Sequence, residues 1–60
     1  MYIIYRFIHN RVYYWNTCGW SQCLLSGRRY TLADAGEAES RMTIHGLRVS
    51  IAPFKARAGL

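Results

Sequence analysis

One helix in this chain has both ends marked in the sequence, and strand periodicity follows directly. The stretch from Arg29 to Ile51 reads Arg-Tyr-Thr-Leu-Ala-Asp-Ala-Gly-Glu-Ala-Glu-Ser-Arg-Met-Thr-Ile-His-Gly-Leu-Arg-Val-Ser-Ile. The Thr31 hydroxyl can accept a hydrogen bond from the first free backbone N–H groups, and Asp34 stands three residues on, a short-armed capping box. Asp34, Glu37 and Glu39 crowd the first half, near the positive end of the helix dipole, while Arg41 and His45 come late. Gly46 supplies the left-handed position that closes many helices. Beyond it Leu47, Val49 and Ile51 alternate with Arg48 and Ser50, the period of a half-buried strand. The spacing predicts a helix from Leu32 to about His45 and a strand from Leu47 to Ala52. Pro53 ends that strand, because it has no N–H to give to a ladder.

The first half of the chain has strand character. Tyr2 to Ile8 and Arg11 to Trp15 are rich in β-branched and aromatic residues. His9-Asn10 makes a two-residue connection between them, with Asn10 able to take a positive φ. Asn16-Thr17-Cys18-Gly19 is the next turn, with Gly19 as its positive-φ residue. Trp20 to Leu25 forms a third, irregular strand that Ser26-Gly27 ends or bulges, and Arg28 to Tyr30 is a short extended lead into the Thr31 cap. The fold class is therefore α+β: a small sheet of three to four strands, mainly antiparallel, with one helix packed on one face in the order β-β-β-α-β. Residues 1–53 form a single compact domain, and 54–60 are a flexible basic tail.

The chain's 60 residues hold one domain at most, near the lower limit for folding without a staple. An apolar fraction of 52% makes a compact core feasible, and dimerisation is a natural way to enlarge it. No apolar run approaches the roughly 18 residues that a membrane span needs. The N-terminus has neither the basic start nor the small-residue cleavage site of a signal peptide, which places the protein inside the cell. Cys18 and Cys23, the only cysteines, are then free thiols, and their spacing is wider than a zinc knuckle. With no ligand set assembled by His9 or His45, no metal and no other cofactor is expected.

Charge and alternation carry the functional signal. The net charge is +5, and all three acids lie between Asp34 and Glu39, so the surface away from the helix is basic. Such a surface attracts nucleic acid, anionic membranes and acidic proteins alike. Leu32, Ala35, Ala38 and Met42 form one thin apolar stripe on the helix, with Asp34, Glu37 and Arg41 opposite. On the first strand Ile3, Tyr5 and Phe7 face one way and Tyr2, Ile4, Arg6 and Ile8 the other. On the second, Val12 and Tyr14 oppose Arg11, Tyr13 and Trp15. Both sheet faces carry large apolar groups, but one helix covers only one of them, leaving a face for another molecule.

The arrangement resembles that of small uncharacterised proteins of bacteriophages and prophages. The matching pieces are Tyr14-Trp15, Gly19-Trp20, Arg29-Tyr30-Thr31, Asp34-Ala35, Gly46 and Val49-Ser50-Ile51-Ala52-Pro53, across roughly residues 2 to 53. The chain also looks like the short accessory reading frames of lambdoid phages. The resemblance implies a compact β-β-β-α-β domain without an assigned activity, working in the cytoplasm of a bacterial host. The first strand is more hydrophobic than in that group, and Cys23-Leu24-Leu25 replaces residues that tend to be polar and acidic, which favours self-association.

A catalytic role finds little support. The carboxylates lie along a single helix, neither histidine neighbours a cysteine in sequence, and no phosphate-cradling glycine loop is present. The protein is thus expected not to be an enzyme. The candidate interaction surface is Arg6, Arg11, Tyr13, Trp15, Trp20, Arg28 and Arg29, with Tyr14 and Val12 taking over if the helix covers the other face. Tyr, Trp and Arg anchor protein interfaces, so the leading reading is a phage accessory protein that binds a host or phage protein, or a second copy of itself. The rival is a single-stranded nucleic-acid module, with arginines tracking phosphates and rings stacking on bases. Against that rival, so small a domain can spare few large apolar residues from its core, and Arg stems readily lie over aromatic faces at its rim.

Overall fold

The computed structural model describes residues 1–54. Four strands, β1 (Tyr2–Ile8), β2 (Arg11–Asn16), β3 (Gly19–Ser21) and β4 (Ser50–Pro53), form one antiparallel sheet in the order β3-β2-β1-β4. A single helix, α1 (Leu32–Ile44), lies across β1 and β4. The chain is an α+β domain of β-β-β-α-β order, as the helix caps and strand periods predict.

Local chemistry sets each turn. His9 and Asn10 both have positive φ, 51° and 66°, so the β1–β2 connection is a two-residue turn whose twist suits a hairpin. Between β2 and β3, Asn16 Oδ1 accepts from the Cys18 N–H at 2.8 Å, and Gly19 takes φ 140°. The third strand is shorter than expected. It stops at Ser21, whose Oγ accepts from the Cys23 N–H at 3.1 Å, and Leu24–Ser26 then coils into one 3₁₀ turn. Gly27 is buried under this turn. A Cβ there would lie 3.2 Å from the Leu24 carbonyl oxygen and 3.3 Å from Tyr14 Cβ, so any larger residue would have to push these atoms back by a few tenths of an ångström.

β1 and β2 pair only from Tyr5–Tyr14 to Ile8–Arg11. Where they part, Arg28 to Tyr30 runs beside both: the Arg28 N–H donates to the Trp15 carbonyl at 2.8 Å, and Tyr30 and Tyr2 exchange two hydrogen bonds of 2.7 Å. This pairing delivers the chain to Thr31, whose Oγ1 accepts from the Asp34 N–H at 3.1 Å and starts α1. The helix closes as Gly46 predicts, with φ 86° there. The Gly46 N–H bonds the Thr43 carbonyl and the Leu47 N–H the Met42 carbonyl, each at 2.9 Å, the paired bonds of a Schellman stop.

The tightly buried hydrophobic side chains are few: Ile4 and Ala35 at 0% exposure and Ile3 at 4%. Ala35 lets the helix backbone come close to the sheet, with Ala38 and Met42 half-buried beside it. Leu32, expected to anchor the stripe, is 59% exposed, because the helix meets the sheet a turn later, at Ala35. β4 starts at Ser50 rather than Leu47, since Leu47 is still engaged in closing the helix. Pro53 is part of the strand, in register with Tyr2, and is tolerated there because β4 is an edge. Phe54, read as the first residue of the tail, is half-buried and donates its N–H to the Met1 carbonyl at 2.8 Å. The rest of that tail, 55–60, lies outside the described residues.

Candidate functional site

Strand alternation and register divide the sheet into two faces. The helix lies over the face of Tyr2, Ile4, Arg6 and Ile8, which the register extends to Ile51 of β4, to Tyr13 and Trp15 of β2, and to Trp20 of β3. Because α1 crosses only β1 and β4, the β2–β3 half of this face lies beside the helix rather than beneath it. A groove of about 380 Å³ results, lined by Trp15, Arg28, Tyr30 and the helix residues Asp34, Glu37, Ala38, Arg41 and Met42.

Six of the seven predicted surface residues lie on this helix side. The Trp15 and Trp20 rings stand 5.2 Å apart at 60°, and the Arg6 guanidinium lies 5.4 Å from the Trp20 ring centre. Tyr13 is the register partner of Arg6. Arg6 Nε is buried without a hydrogen-bond partner, so the ring face is the contact that compensates its desolvation. Arg28 joins the group through the groove and caps the Tyr30 ring at 5.2 Å. Arg11 is exposed at the hairpin end of the same face. Alternation puts Arg29 on the opposite side from Arg28, over the Phe54 ring at 4.2 Å. The seven therefore do not form one surface. Three of the arginines lie on rings of this chain, and the groove's own charges are mixed, with Arg41 bonded to Glu37 at 2.8 Å on the exposed side of the helix.

Among the described residues, no helix covers the other sheet face. It presents Ile3, Tyr5 and Phe7 of β1, Val12 and Tyr14 of β2, and Ser50 and Ala52 of β4. No strand residue on this face is charged. The Leu24–Ser26 turn and Gly27 fold over its Ile3 end, and the Phe7 end is bare. Between them lies an apolar hollow of about 220 Å³ lined by Ile3, Tyr5, Val12, Tyr14, Leu24 and Ala52. Phe7 is 65% exposed, standing edge-on to Tyr5 with ring centres 6.1 Å apart, and Leu25 is 68% exposed. Of the two alternatives left open by the sequence, the helix position selects the Val12 and Tyr14 side as the uncovered one.

The sequence marks Leu24 and Leu25 as added apolar surface, but Tyr5 and Phe7 are not among the expected surface residues. A signal existed: Arg6 and Arg11 share a strand face with Tyr13 and Trp15, so the opposite face is the one without a charged strand residue. Cys18 and Cys23 are free and exposed, and among the described residues no three His, Cys, Asp or Glu side chains are grouped to hold a metal ion. No described helix is long and apolar enough to cross a membrane. No protein-family model matches the chain, and no curated protein or solved structure is significantly similar to it.

Proposed function

We propose that this chain is a small non-catalytic accessory protein of a bacteriophage or prophage, acting in the bacterial cytoplasm through a protein contact made by the uncovered sheet face. One observation carries the reading: β1, β2 and Ala52 of β4 place aromatic and aliphatic side chains, with no charged strand residue among them, on a face where Phe7 is left 65% exposed. Isolated exposed apolar residues are ordinary, but a continuous apolar face rimmed by polar residues marks an interaction site. The phage assignment rests on the resemblance carried by Tyr14-Trp15, Gly19-Trp20 and the Arg29-Tyr30-Thr31 lead into the helix. Single-stranded nucleic acid is less well served, because Trp20, Tyr30 and Phe54 already carry arginines of this chain.

The test is capture of bound proteins, copies of the chain included, from lysogenic bacteria. Wild type is compared with Phe7→Ser and with the combined Arg11→Glu, Arg28→Glu variant. Retention is expected to be lost with Phe7→Ser, to survive nuclease, and to change little between low and moderate salt. Retention that depends on the arginines, disappears with nuclease and falls by orders of magnitude with salt would replace this reading with the nucleic-acid one.

A further inference from the structure

We infer that the uncovered face is closed by a second copy of this chain, in a two-fold contact in which Phe7 of each protomer fills the apolar hollow of the other. The inference rests on the protein-contact reading above and names the occupant. Knob and hole lie on one face of one protomer, which is what a self-complementary contact requires: patch residue i meets j, and j meets i. Phe7 stands proud of the sheet, and the 220 Å³ hollow beside it is walled by Ile3, Tyr14, Leu24 and Ala52. An apolar cavity of about 150 Å³ is enough to hold a benzene ring.

The geometry closes. Phe7 and Ile3 lie four residues apart on β1, about 13 Å at the usual rise of a strand. A two-fold axis in the contact plane, crossing the strands near Tyr5, exchanges the Phe7 end of one sheet with the Ile3 end of the other. The strands of the two sheets then run nearly antiparallel, the aligned arrangement of packed sheets, and the dimer is a helix–sheet–sheet–helix sandwich.

Charge and edges exclude the other ways two copies could meet. Each copy carries +5, so most of its surface repels a twin, whereas the uncovered face has no charged strand residue and the Arg29 guanidinium beside it lies on the Phe54 ring. Joining along the sheet edges is poorly served: β3 has three residues and β4 ends in Pro53. Strands of seven, six, three and four residues give a face of about 330 Å², hence about 650 Å² over both copies. That is a small contact, below the standard size of stable complexes, so the dimer is weak and dissociates on dilution.

The experiment is sedimentation of the purified chain between about 1 and about 500 µM, a range wide enough to show mass action. The mass is expected to rise from 7.0 kDa toward twice that value. Phe7→Ala removes the knob and Ala52→Trp fills the hole, and each alone is expected to raise the dissociation constant by about tenfold or more. Mixed in equal amounts they should pair with each other, because the knobless protomer accepts the filled one on both sides of the axis. Val12→Lys, which would bury an unpaired charge in the contact, should abolish the dimer with the far-UV circular dichroism unchanged. A wild type that stays at 7.0 kDa throughout overturns the inference, as does failure of the two folded variants to pair. If that monomer still loses its captured proteins with Phe7→Ser, the protein-contact reading stands with a different occupant.

Discussion

The two faces of the sheet hold similar amounts of aromatic and aliphatic bulk and treat it in opposite ways. On the helix side Ile4 and Ala35 are sealed from solvent, and the Trp15–Trp20 pair is capped by Arg6. On the other side, among the described residues, Tyr5, Phe7, Val12 and Tyr14 have the Leu24–Ser26 turn at one end and no helix over them. The face that reads as adhesive from its residue types, rich in Trp, Tyr and Arg, satisfies its own contacts. The face that reads as ordinary strand interior does not. Surface character in so small a domain depends on whether the chain has a layer left to place over each side chain.

Ile4 and Phe7 sit three residues apart on β1 and point to opposite faces, so they break the comparison most cleanly. Ile4→Ala is expected to cost about 2–5 kcal/mol, as truncation of a sealed core side chain does, a large share of the stability of any 60-residue domain. Urea titration followed by circular dichroism measures it. A cost comparable to an exposed site would mean that the helix does not seal this face.

Ala35→Leu comes next. The added side chain has no space where helix and sheet meet at 0% exposure, and overpacking should cost about 1–3 kcal/mol in the same titration. Ala38, half-buried one turn on, should tolerate the change better. By contrast, Phe7→Ser on dilute, monomeric protein should change stability by no more than about 0.5 kcal/mol, the range of an exposed position. The smallest effect is expected for Cys18→Ser with Cys23→Ser. Both thiols are free and exposed, so the double variant in reducing buffer, or wild type with chelator, should unfold at the wild-type urea midpoint.

The helix was legible because its signals are local. Thr31, Gly46 and the Ala35–Ala38–Met42 spacing each act within a turn or two of chain, and the structure retains all three. The hairpin at His9-Asn10 was legible for the same reason. The third strand was misjudged at Gln22 to Leu25, where β propensity yields to the hydrogen bonds that Ser21 and Ser26 make back to the chain. Strand faces could be read from alternation, but the face that the helix takes depends on the Arg28–Tyr30 pairing beside Tyr2 and Trp15, a non-local event that no window of sequence contains. That one choice decides which aromatic residues are surface, and it separates the expected Tyr13–Trp15 surface from the bare Tyr5–Phe7 one.

The most direct measurement is the thermal unfolding midpoint of wild type and Phe7→Ser as a function of protein concentration. A face that completes its packing only in an assembly adds stability by mass action, so the wild-type midpoint should climb from low to high micromolar protein. Phe7→Ser should match wild type at the dilute end and stay flat. A wild-type midpoint that is independent of concentration, or a Phe7→Ser protein that is already destabilised when dilute, would contradict the account, because Phe7 would then serve the monomer's fold or no contact between copies.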